Sequence, residues 1–365
     1  TATLYTVWYG NPATDGAYMH WNHEVLPWWK HADRFPHGMA FQPPHELHSP
    51  FYPERGCYSS ADLDTVTSHF QDMVDHGIGV AVVSWWGRPT VASTHDTQGV
   101  NTDSRIPTVL QAAEATGIKI AWHLEPYAGR DAASVQLDVE YIHEKYGRHP
   151  SLLRWVPRRR RAGHPGAPQP VFYVYDSYHV APSAWMTMLS PTAPRPVRGT
   201  SGKDGFFIGL WLESQHGRDL FSGGFDGFYS YFAAQTSFGS STSNWGALQS
   251  FAKDKGHDML FVPCVAPGYQ DDKIRPWNRP SSRDRGDGRY YDAMWEAALA
   301  TKPEVVAITS YNEWGEGTQI EAAVPHTVPK GKGFTAAVRE TLGISPQSAA
   351  YPSTAFYMER TAAWS

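Results

Sequence analysis

Cysteine is nearly absent from this chain, which holds only Cys57 and Cys264 among its 365 residues. Two cysteines so far apart in sequence cannot form the multi-disulfide framework of small secreted domains, and they lack the spacing of a zinc site. We therefore expect two free thiols, with a single bridge as the alternative. The chain also lacks any run of 18 apolar residues, so no transmembrane helix is predicted.

Charge is sparse as well. Asp, Glu, Lys and Arg make up 18% of the residues, and the formal net charge is −5. Because the chain has no excess of positive charge, we expect neither nucleic acid nor an anionic membrane as a partner. A hydrophobic content of 41% indicates a globular chain with a large core, in one large domain or two ordinary ones.

Aromatic residues are abundant, with 15 Trp and 19 Tyr. Each of these side chains offers a flat apolar face and one hydrogen-bonding atom, which matches the C–H patches and hydroxyl groups of a sugar. An aromatic-rich core explains the same composition, so the two interpretations stay open at this point.

Eight short apolar or aromatic runs are predicted to be β-strands. Most lack the alternation of a strand with one wet face, as expected for a parallel sheet covered on both sides. The runs are Leu4–Tyr9, Gly79–Trp86, Lys119–Glu125, Val171–Asp176, Phe206–Leu212, Phe225–Tyr231, Met259–Val265 and Val305–Tyr311.

Helical segments separate most of these runs, and several end at a glycine, a common helix stop signal. Alternating strands and helices predict an α/β fold, a single (β/α)8 TIM barrel over residues 1–365. A doubly wound sheet is the alternative, but no G-x-G-x-x-G follows the first strand. We expect residues 329–365 to supply the last helix, near 333–342, and a tail. The other predicted helices include Asp62–His76, Ile106–Thr116, Ala132–Tyr146, Asn244–Lys255 and Tyr290–Thr301.

Long connections follow strands 1, 2 and 7, at His20–Arg55, Gly87–Ser104 and Ala266–Gly288. These are strand-to-helix loops, which lie on the C-terminal face of a barrel where active sites are built. The basic run Arg158–Arg161 precedes a strand instead, so we interpret it as a solvated insertion on the opposite face. We expect Asp226, within Gly-Phe-Asp-Gly, to brace a turn.

Polar and aromatic side chains cluster at the predicted strand ends, and a barrel brings those ends to one cleft. Carboxylates grip hydroxyl groups through charge-assisted hydrogen bonds, and rings stack on C–H faces, so acids and rings with few cations favour a neutral sugar substrate. The candidate substrate-binding residues at these ends are Trp8, Tyr9, Trp85, Trp86, His123, Glu125, Tyr175, Asp176, Tyr231, Asn312 and Trp314.

The stretch Ile308–Glu321 (ITSYNEWGEGTQIE) places Glu313 and Glu316 directly after the last predicted strand, without a lysine or arginine nearby in sequence. Glycoside hydrolysis needs two acids, one to protonate the leaving oxygen and one to act on the other side of C1. Carboxylates crowded into one cleft repel each other and lose solvent, which keeps one of them protonated near neutral pH. We predict that these two residues are catalytic.

No metal or cofactor is expected. His45-Glu46-Leu47-His48 is one residue short of the H-E-x-x-H spacing that puts two imidazoles on one helical face. A serine nucleophile is not supported either, because the chain has no G-x-S-x-G elbow.

The chain resembles glycoside hydrolase family 99, the endo-α-1,2-mannosidases and endo-α-1,2-mannanases. The resemblance runs through nearly the whole chain in order and implies a (β/α)8 barrel. The segments that carry it are Val7–His23 (VWYGNPATDGAYMHWNH), Phe51–Ser60 (FYPERGCYSS), His123–Asp131 (HLEPYAGRD), Phe172–Tyr178 (FYVYDSY), Gly224–Ala233 (GFDGFYSYFA), Ala266–Asn278 (APGYQDDKIRPWN) and Ser310–Pro325 (SYNEWGEGTQIEAAVP).

The resemblance implies roles for the two acids in a retaining reaction without an enzyme nucleophile. Glu313 is expected to act as a general base on the substrate's own 2-hydroxyl, which attacks C1 and forms a 1,2-anhydro sugar. Glu316 is expected to protonate the leaving group and then to deprotonate the water that opens the epoxide. Such substrate assistance is a recognised exception to the usual two-carboxylate scheme.

Two departures from the family pattern stand out. Gly315 occupies the place of the histidine in the Glu-Trp-His-Glu-Gly of animal members, which predicts the loss of a polar contact beside the acids. Trp86 resembles the bacterial mannanases and favours mannose at the subsite before the cleaved bond. The longer loop Gly87–Ser104 resembles the eukaryotic enzymes instead, so the two signals conflict.

The resemblance implies an endo-acting hydrolase that releases glucosyl-mannose from glucosylated high-mannose N-glycans. A mannanase that releases mannobiose from α-mannan is the alternative, as are an inverting α-glycosidase and, from another class, a non-catalytic carbohydrate-binding barrel. We expect a monomer. Its expected location is lumenal or extracellular. In a eukaryote we expect the Golgi lumen, with an N-terminal anchor that has been removed, and in a bacterium a secreted or periplasmic protein.

Overall fold

The computed structural model describes residues 1–28, 30–89, 94–158, 166–232, 238–324 and 351–365. Its centre is a parallel sheet in which sequential strands are neighbours. The strands are β1 Ala2–Tyr5, β2 Val80–Trp85, β3 Lys119–Leu124, β4 Arg154–Trp155, β5 Gln169–Val174, β6 Phe206–Leu210, β7 Gly227–Tyr229, β8 Leu260–Val262, β9 Cys264–Val265 and β10 Ala307–Ile308.

The sheet closes into a barrel through β8 and β9, which are two halves of one strand. β8 pairs with β7 on one side, and β9 pairs with β10 on the other. Pro263 separates the halves because it has no N–H to donate to a ladder, yet its carbonyl still accepts from Ala307 N–H at 3.0 Å. Since β10 also pairs with β1, eight strand positions form a ring, and the predicted (β/α)8 barrel is confirmed.

Side chains pack on both faces of the barrel strands. Small and branched side chains such as Leu4, Val82 and Ile208 fill the barrel interior. The opposite faces of the same strands pack against the helices in a larger cluster that includes Trp122 and Phe228. Both faces of these strands are therefore buried, which explains why the strands appear in the sequence as continuous apolar runs.

Helices follow most barrel strands. Those predicted at 106–116 and 132–146 have the expected bounds, and a capping box between Asp131 and Ser134 starts the second of them. The helices are α1 Pro12–Asp15, α2 Leu63–Asp75, α3 Ile106–Thr116, α4 Ala132–Tyr146, α5 Pro182–Leu189, α6 His216–Ser222, α7 Trp245–Lys253, α8 Arg289–Ala300 and α9 Phe356–Trp364. Among the described residues, no helix combines the length and the hydrophobicity needed to cross a bilayer.

Several element boundaries differ from the sequence prediction. β1 ends at Tyr5 rather than Tyr9, because the next residue, Thr6, donates its backbone N–H to the Asn312 side chain at 2.8 Å instead of to a strand. Trp8 and Tyr9 consequently lie in the loop above the barrel. The short antiparallel pair of β4 with β5 and the helices α5 and α6 have no clear periodicity in the sequence.

The helix predicted near 333–342 lies outside the described residues. The described tail instead carries α9, whose Arg360 pairs with Asp292 of α8. Tyr351 donates its hydroxyl to the carbonyls of Gln319 and Glu321, at 3.1 and 2.9 Å. The tail therefore supports the loop that follows β10 from outside.

A buried ion pair joins the connection after α5 to the start of β7. The guanidinium of Arg198 donates to Asp226 at 2.7 Å and to Asp204 at 3.1 Å, and Asp226 also accepts from Phe207 N–H at 2.9 Å. Asp226 thus has the bracing role that its sequence context predicted. Arg158, of the basic run, pairs with Glu304 at the surface at 2.6 Å.

Replacing Arg198 with leucine should lower the free energy of unfolding by about 3–5 kcal/mol, because Asp226 would stay buried without its cation. Urea denaturation followed by tryptophan fluorescence measures this change. The matched control Arg158→Gln removes a solvent-accessible partner and should cost no more than about 1 kcal/mol. Equal losses for the two variants would contradict this account of the pair.

Candidate active site

A cleft opens where the C-terminal ends of the barrel strands meet the long loops. Both predicted catalytic acids line it, together with six of the predicted substrate-binding residues. These eight residues are Trp8, Trp86, His123, Glu125, Tyr175, Tyr231, Glu313 and Glu316.

The two acids are held by their own backbone. Glu313 donates its N–H to Ser310 Oγ at 2.8 Å, just past the end of β10. The carbonyl of Glu316 accepts from Gln270 N–H at 2.8 Å, in the loop after β9. The next residue, Gly317, has a φ of +62°, and a Cβ added there would lie 2.9 Å from Gln270 O, so this position has no room for a side chain. The backbone of both acids is thus held in place before any substrate enters.

Burial raises the pKa of both carboxyl groups above the ordinary range of glutamic acid. The neighbouring charge of Glu316 raises the pKa of Glu313 further, whereas Arg275 acts against the rise at both groups. Two carboxyl groups in this arrangement favour retention of one proton between them. The cleft can therefore supply one acid and one base without a metal.

Arg275 is the main functional residue that the sequence reasoning missed. It donates to Glu316 Oε1 at 3.3 Å and to Asp271 Oδ2 at 3.0 Å. Among the described residues that line the cleft, Arg275 alone is an arginine or lysine, so the cleft has few cations, as expected. This one reaches the acid pair because the loop after β9 passes back over the barrel. The charged run Gln270–Arg275 was the available signal, but its position relative to Glu316 depends on loop conformation.

Aromatic rings form the walls of the cleft. Trp8 stacks on His20 at 5.0 Å between centroids and meets the edge of Trp86 at 6.5 Å. On the other side, Tyr231 meets Tyr175 edge-on at 4.8 Å. Burial, followed by the charge of Glu316, raises the pKa of Tyr231, so its hydroxyl remains a donor close to the acids.

His123 and Glu125 form a fixed pair at the end of β3. His123 Nδ1 lies 2.6 Å from Glu125 Oε1, and its Nε2 lies 2.8 Å from the hydroxyl of Tyr229. Both ring nitrogens are therefore occupied inside the protein. The second oxygen of Glu125 remains for a ligand, so the carboxylate is the better candidate for sugar contact.

Four predicted substrate-binding residues lie behind the cleft wall rather than on it. Trp85 points to the helix side of β2, since neighbours along a strand alternate in direction, and its Nε1 donates to Asp103 at 3.1 Å. Tyr9 donates to the carbonyl of Asn312 and accepts from Trp314 N–H, both at 3.1 Å. The side chain of Tyr9 thus positions the loop of Glu313, and neither Trp85 nor Tyr9 is among the residues that line the cleft.

Asn312 and Trp314 hold the base of that loop through side-chain bonds. Asn312 donates to the carbonyl of Thr6 at 3.0 Å, which ties the end of β10 to the end of β1. Trp314 Nε1 donates to Glu321 Oε2 at 3.0 Å. Asp176, also predicted to bind substrate, is not among the residues that line the cleft and accepts from Tyr178 at 2.6 Å.

Three histidines of the first long loop also line the cleft, although the sequence singled out none of them for binding. They are His20, His23 and His48. His48 lies against Gly315, where the sequence predicted the loss of a polar contact, so an imidazole from another loop occupies that place. Among the described residues, no group of three or more His, Cys, Asp or Glu side chains could hold a metal ion.

Comparison with known proteins agrees with the geometry of this cleft. The model of glycosyl hydrolase family 99 matches residues 1–365. The chain belongs to this family. It is therefore a glycoside hydrolase, which decides against the alternative of a non-catalytic carbohydrate-binding barrel. Both cysteines are free in the family 99 chain, as expected.

Three relatives illustrate the breadth of the match. Glycoprotein endo-alpha-1,2-mannosidase of Rattus norvegicus is 45% identical over 325 residues, covering 88% of this chain and 67% of its own length. The Mus musculus protein of the same name is 43% identical with the same coverage. The solved GH99 endo-alpha-mannosidase of Bacteroides thetaiotaomicron superposes with a TM-score of 0.81 at 32% identity, covering 100% of this chain and 95% of that one.

Replacing Glu316 with glutamine should lower the pKa of Glu313, because the charge that raises it disappears. Infrared difference spectroscopy of the protonated carboxyl C=O band across a pH titration measures this. Glu125→Gln is the control, and it should lower the pKa of Glu313 by a smaller amount, because the charge of Glu125 raises that pKa less than the charge of Glu316 does. An unchanged titration of Glu313 in the Glu316 variant would show that the acids do not interact.

Proposed function

We propose that this family 99 chain is a retaining endo-α-1,2-mannosidase that releases glucosyl-mannose from glucosylated high-mannose N-glycans. The observation that carries the proposal is the pair Glu313 and Glu316 on one cleft with raised pKa values, between aromatic walls. The rat and mouse relatives, named for glycoprotein endo-α-1,2-mannosidase activity, support the linkage.

In the first step, Glu313 accepts the proton of the 2-hydroxyl of the mannose whose C1 bond is cleaved. The freed O2 attacks C1 from the face opposite the leaving group, which the axial 2-hydroxyl of mannose can reach. The C1–O bond to the leaving sugar breaks, and Glu316 donates its proton to that oxygen. The product is a 1,2-anhydro sugar, so the chain itself forms no covalent bond.

In the second step, the ionised Glu316 takes a proton from water, and the hydroxyl adds to C1. The bond between C1 and O2 breaks, and O2 recovers its proton from Glu313. Two inversions at C1 return the α-configuration, and both acids regain their starting protonation. Carboxylates held in place favour this exchange of protons, because neither side chain has to change its position between the two steps.

A second candidate substrate is α-mannan, with mannobiose as the product. Trp86 favours it, because this indole lines the cleft and offers apolar area for a mannose ring. The Nε1–H of Trp86 is buried and has no partner among the described residues, so it can donate to a sugar hydroxyl. For either substrate we propose a monomeric enzyme in a lumenal or extracellular space, where such glycans occur.

Incubation with glucosylated high-mannose N-glycan and, in parallel, α-mannan tests the proposal. Mass spectrometry should detect glucosyl-mannose from the first, and proton NMR should show the α-anomer of the product before mutarotation. Glu316→Gln should retain glycan binding but lose turnover of substrates with poor leaving groups. An initial β-anomer would establish inversion, and a product of single mannose units would exclude the endo mode.

The pH profile of an Arg275→Gln variant tests the unequal effect of Arg275 on the two acids. Arg275 lowers the pKa of Glu316 through both charge and a hydrogen bond, but acts on Glu313 through charge alone. Removal of Arg275 should therefore raise the pKa of Glu316 more than the pKa of Glu313, so both limbs of the pH profile should move to higher pH. The limb that follows the ionisation of Glu316 should move further than the other.

Asp271 keeps its bonds from Tyr269 and Asn278 in this variant, so the loop retains its anchor. The control Arg279→Gln removes a cation of the same loop whose side chain is 82% exposed, and it should leave both limbs in place. Equal shifts of the two limbs, or a shift of neither, would show that Arg275 does not act preferentially on Glu316.

A further inference from the structure

His48 occupies a prominent place in the cleft, although neither the sequence motifs nor the comparisons assign it a role. Its side chain is buried and lines the cleft beside the two acids. Lys273 fixes the backbone on both sides of it, donating to the carbonyls of Leu47 at 2.8 Å and Ser49 at 3.1 Å. The imidazole is therefore presented from a loop with a defined conformation.

The imidazole fills the space of a side chain that Gly315 lacks. A Cβ on Gly315 would lie 2.9 Å from Cδ2 and 3.1 Å from Nε2 of His48. The same Cβ would lie 3.4 Å from Glu313 Oε1, so one small space borders both the imidazole and the carboxylate. Gly315 is absent from the residues with positive φ, so space rather than backbone conformation requires glycine here.

The surroundings of the ring determine which nitrogen carries the proton. Burial, together with the nearby His23 and His20, lowers the pKa of His48 well below its ordinary value, so the ring is neutral. Its Nδ1 is buried without a hydrogen-bond partner among the described residues. A proton there would be an orphaned buried donor, which costs more than a bare acceptor. The favoured tautomer therefore carries its proton on Nε2, beside Gly315.

This tautomer places a donor and an acceptor on the two sides of one space. In the described part of the chain, no direct hydrogen bond joins His48 to Glu313. A hydroxyl group accepts one hydrogen bond and donates another, so it suits a space between an N–H and a carboxylate.

We propose that His48 is a substrate-binding residue whose Nε2–H donates a hydrogen bond to a glycan hydroxyl that in turn donates to Glu313. This inference rests on the proposed function, because it needs a sugar in the cleft. It makes positions 48 and 315 interdependent: a side chain at 315 displaces the imidazole, and glycine at 315 gives the imidazole its place.

A double-mutant cycle tests the inference by steady-state kinetics. The substrate is whichever the wild type cleaves, glucosylated high-mannose N-glycan or linear α-1,2-linked mannotetraose. His48→Ala should lower kcat/KM roughly ten- to a hundredfold, as expected for a lost bond in a buried polar site. Gly315→Ala should lower it comparably, because its Cβ displaces the ring. The double variant should match His48→Ala alone, since nothing remains to be displaced.

His48→Gln provides the conservative control, because its amide N–H can donate from a similar reach, and it should recover part of the lost kcat/KM. Thermal unfolding of each variant shows whether the fold is intact. In the Glu316→Gln background, calorimetry of binding of the same glycan should show weaker affinity after His48→Ala, independently of turnover.

The results separate the two proposals. A His48→Ala enzyme within twofold of wild type would overturn the role of His48 while leaving the proposed function intact. Gly315→Ala that slows the enzyme equally with and without His48 would overturn it too. A wild type that neither cleaves nor binds either glycan would refute the proposed function, and the role of His48 with it.

Discussion

The structure depends on keeping two carboxyl groups together in a cleft with little water. Glu313 and Glu316 are three residues apart, and burial raises the pKa of each. Like charges in such a place repel strongly, so the pair is stable only if it shares a proton or gains a cation. Arg275 supplies the cation on one side, beside Glu316, and favours the ionised form that Glu316 takes in the proposed reaction once it has protonated the leaving group.

A buried polar network behind the cleft holds the acids in position. Asn312 ties their loop to β1, and Trp314 ties it to Glu321, which also accepts from Tyr58 at 2.8 Å. Below the same loop, Arg285 donates to the carbonyls of Gly317 and Gln319 at 2.9 and 2.8 Å. Its guanidinium lies over the rings of Phe51, Tyr351 and Tyr357, at 4.4, 5.2 and 4.6 Å. Residues that do not contact the sugar therefore contribute to the positioning of the acids against the substrate.

The sequence predicted the barrel well because strand burial is a local signal. A strand covered on both faces must be apolar at every position, whichever strands become its neighbours. The same rule predicted that Glu313 and Glu316 would lie at a strand end over the barrel mouth. The rule could not distinguish Trp85 from Trp86, which are adjacent in sequence but face opposite layers of the barrel. Only the pleat of β2 decides which of these two indoles lines the cleft.

The sequence by itself determined the alternation of strands and helices, the acid pair and the family, because each is written in consecutive residues. Tertiary structure alone decided what surrounds the acids. Arg275 precedes Glu316 by 41 residues, and His48 precedes Gly315 by 267 residues. Their approach to the acids depends on how their loops pack across the barrel mouth. Loop packing is set by many weak, distant contacts, so no short sequence pattern encodes it.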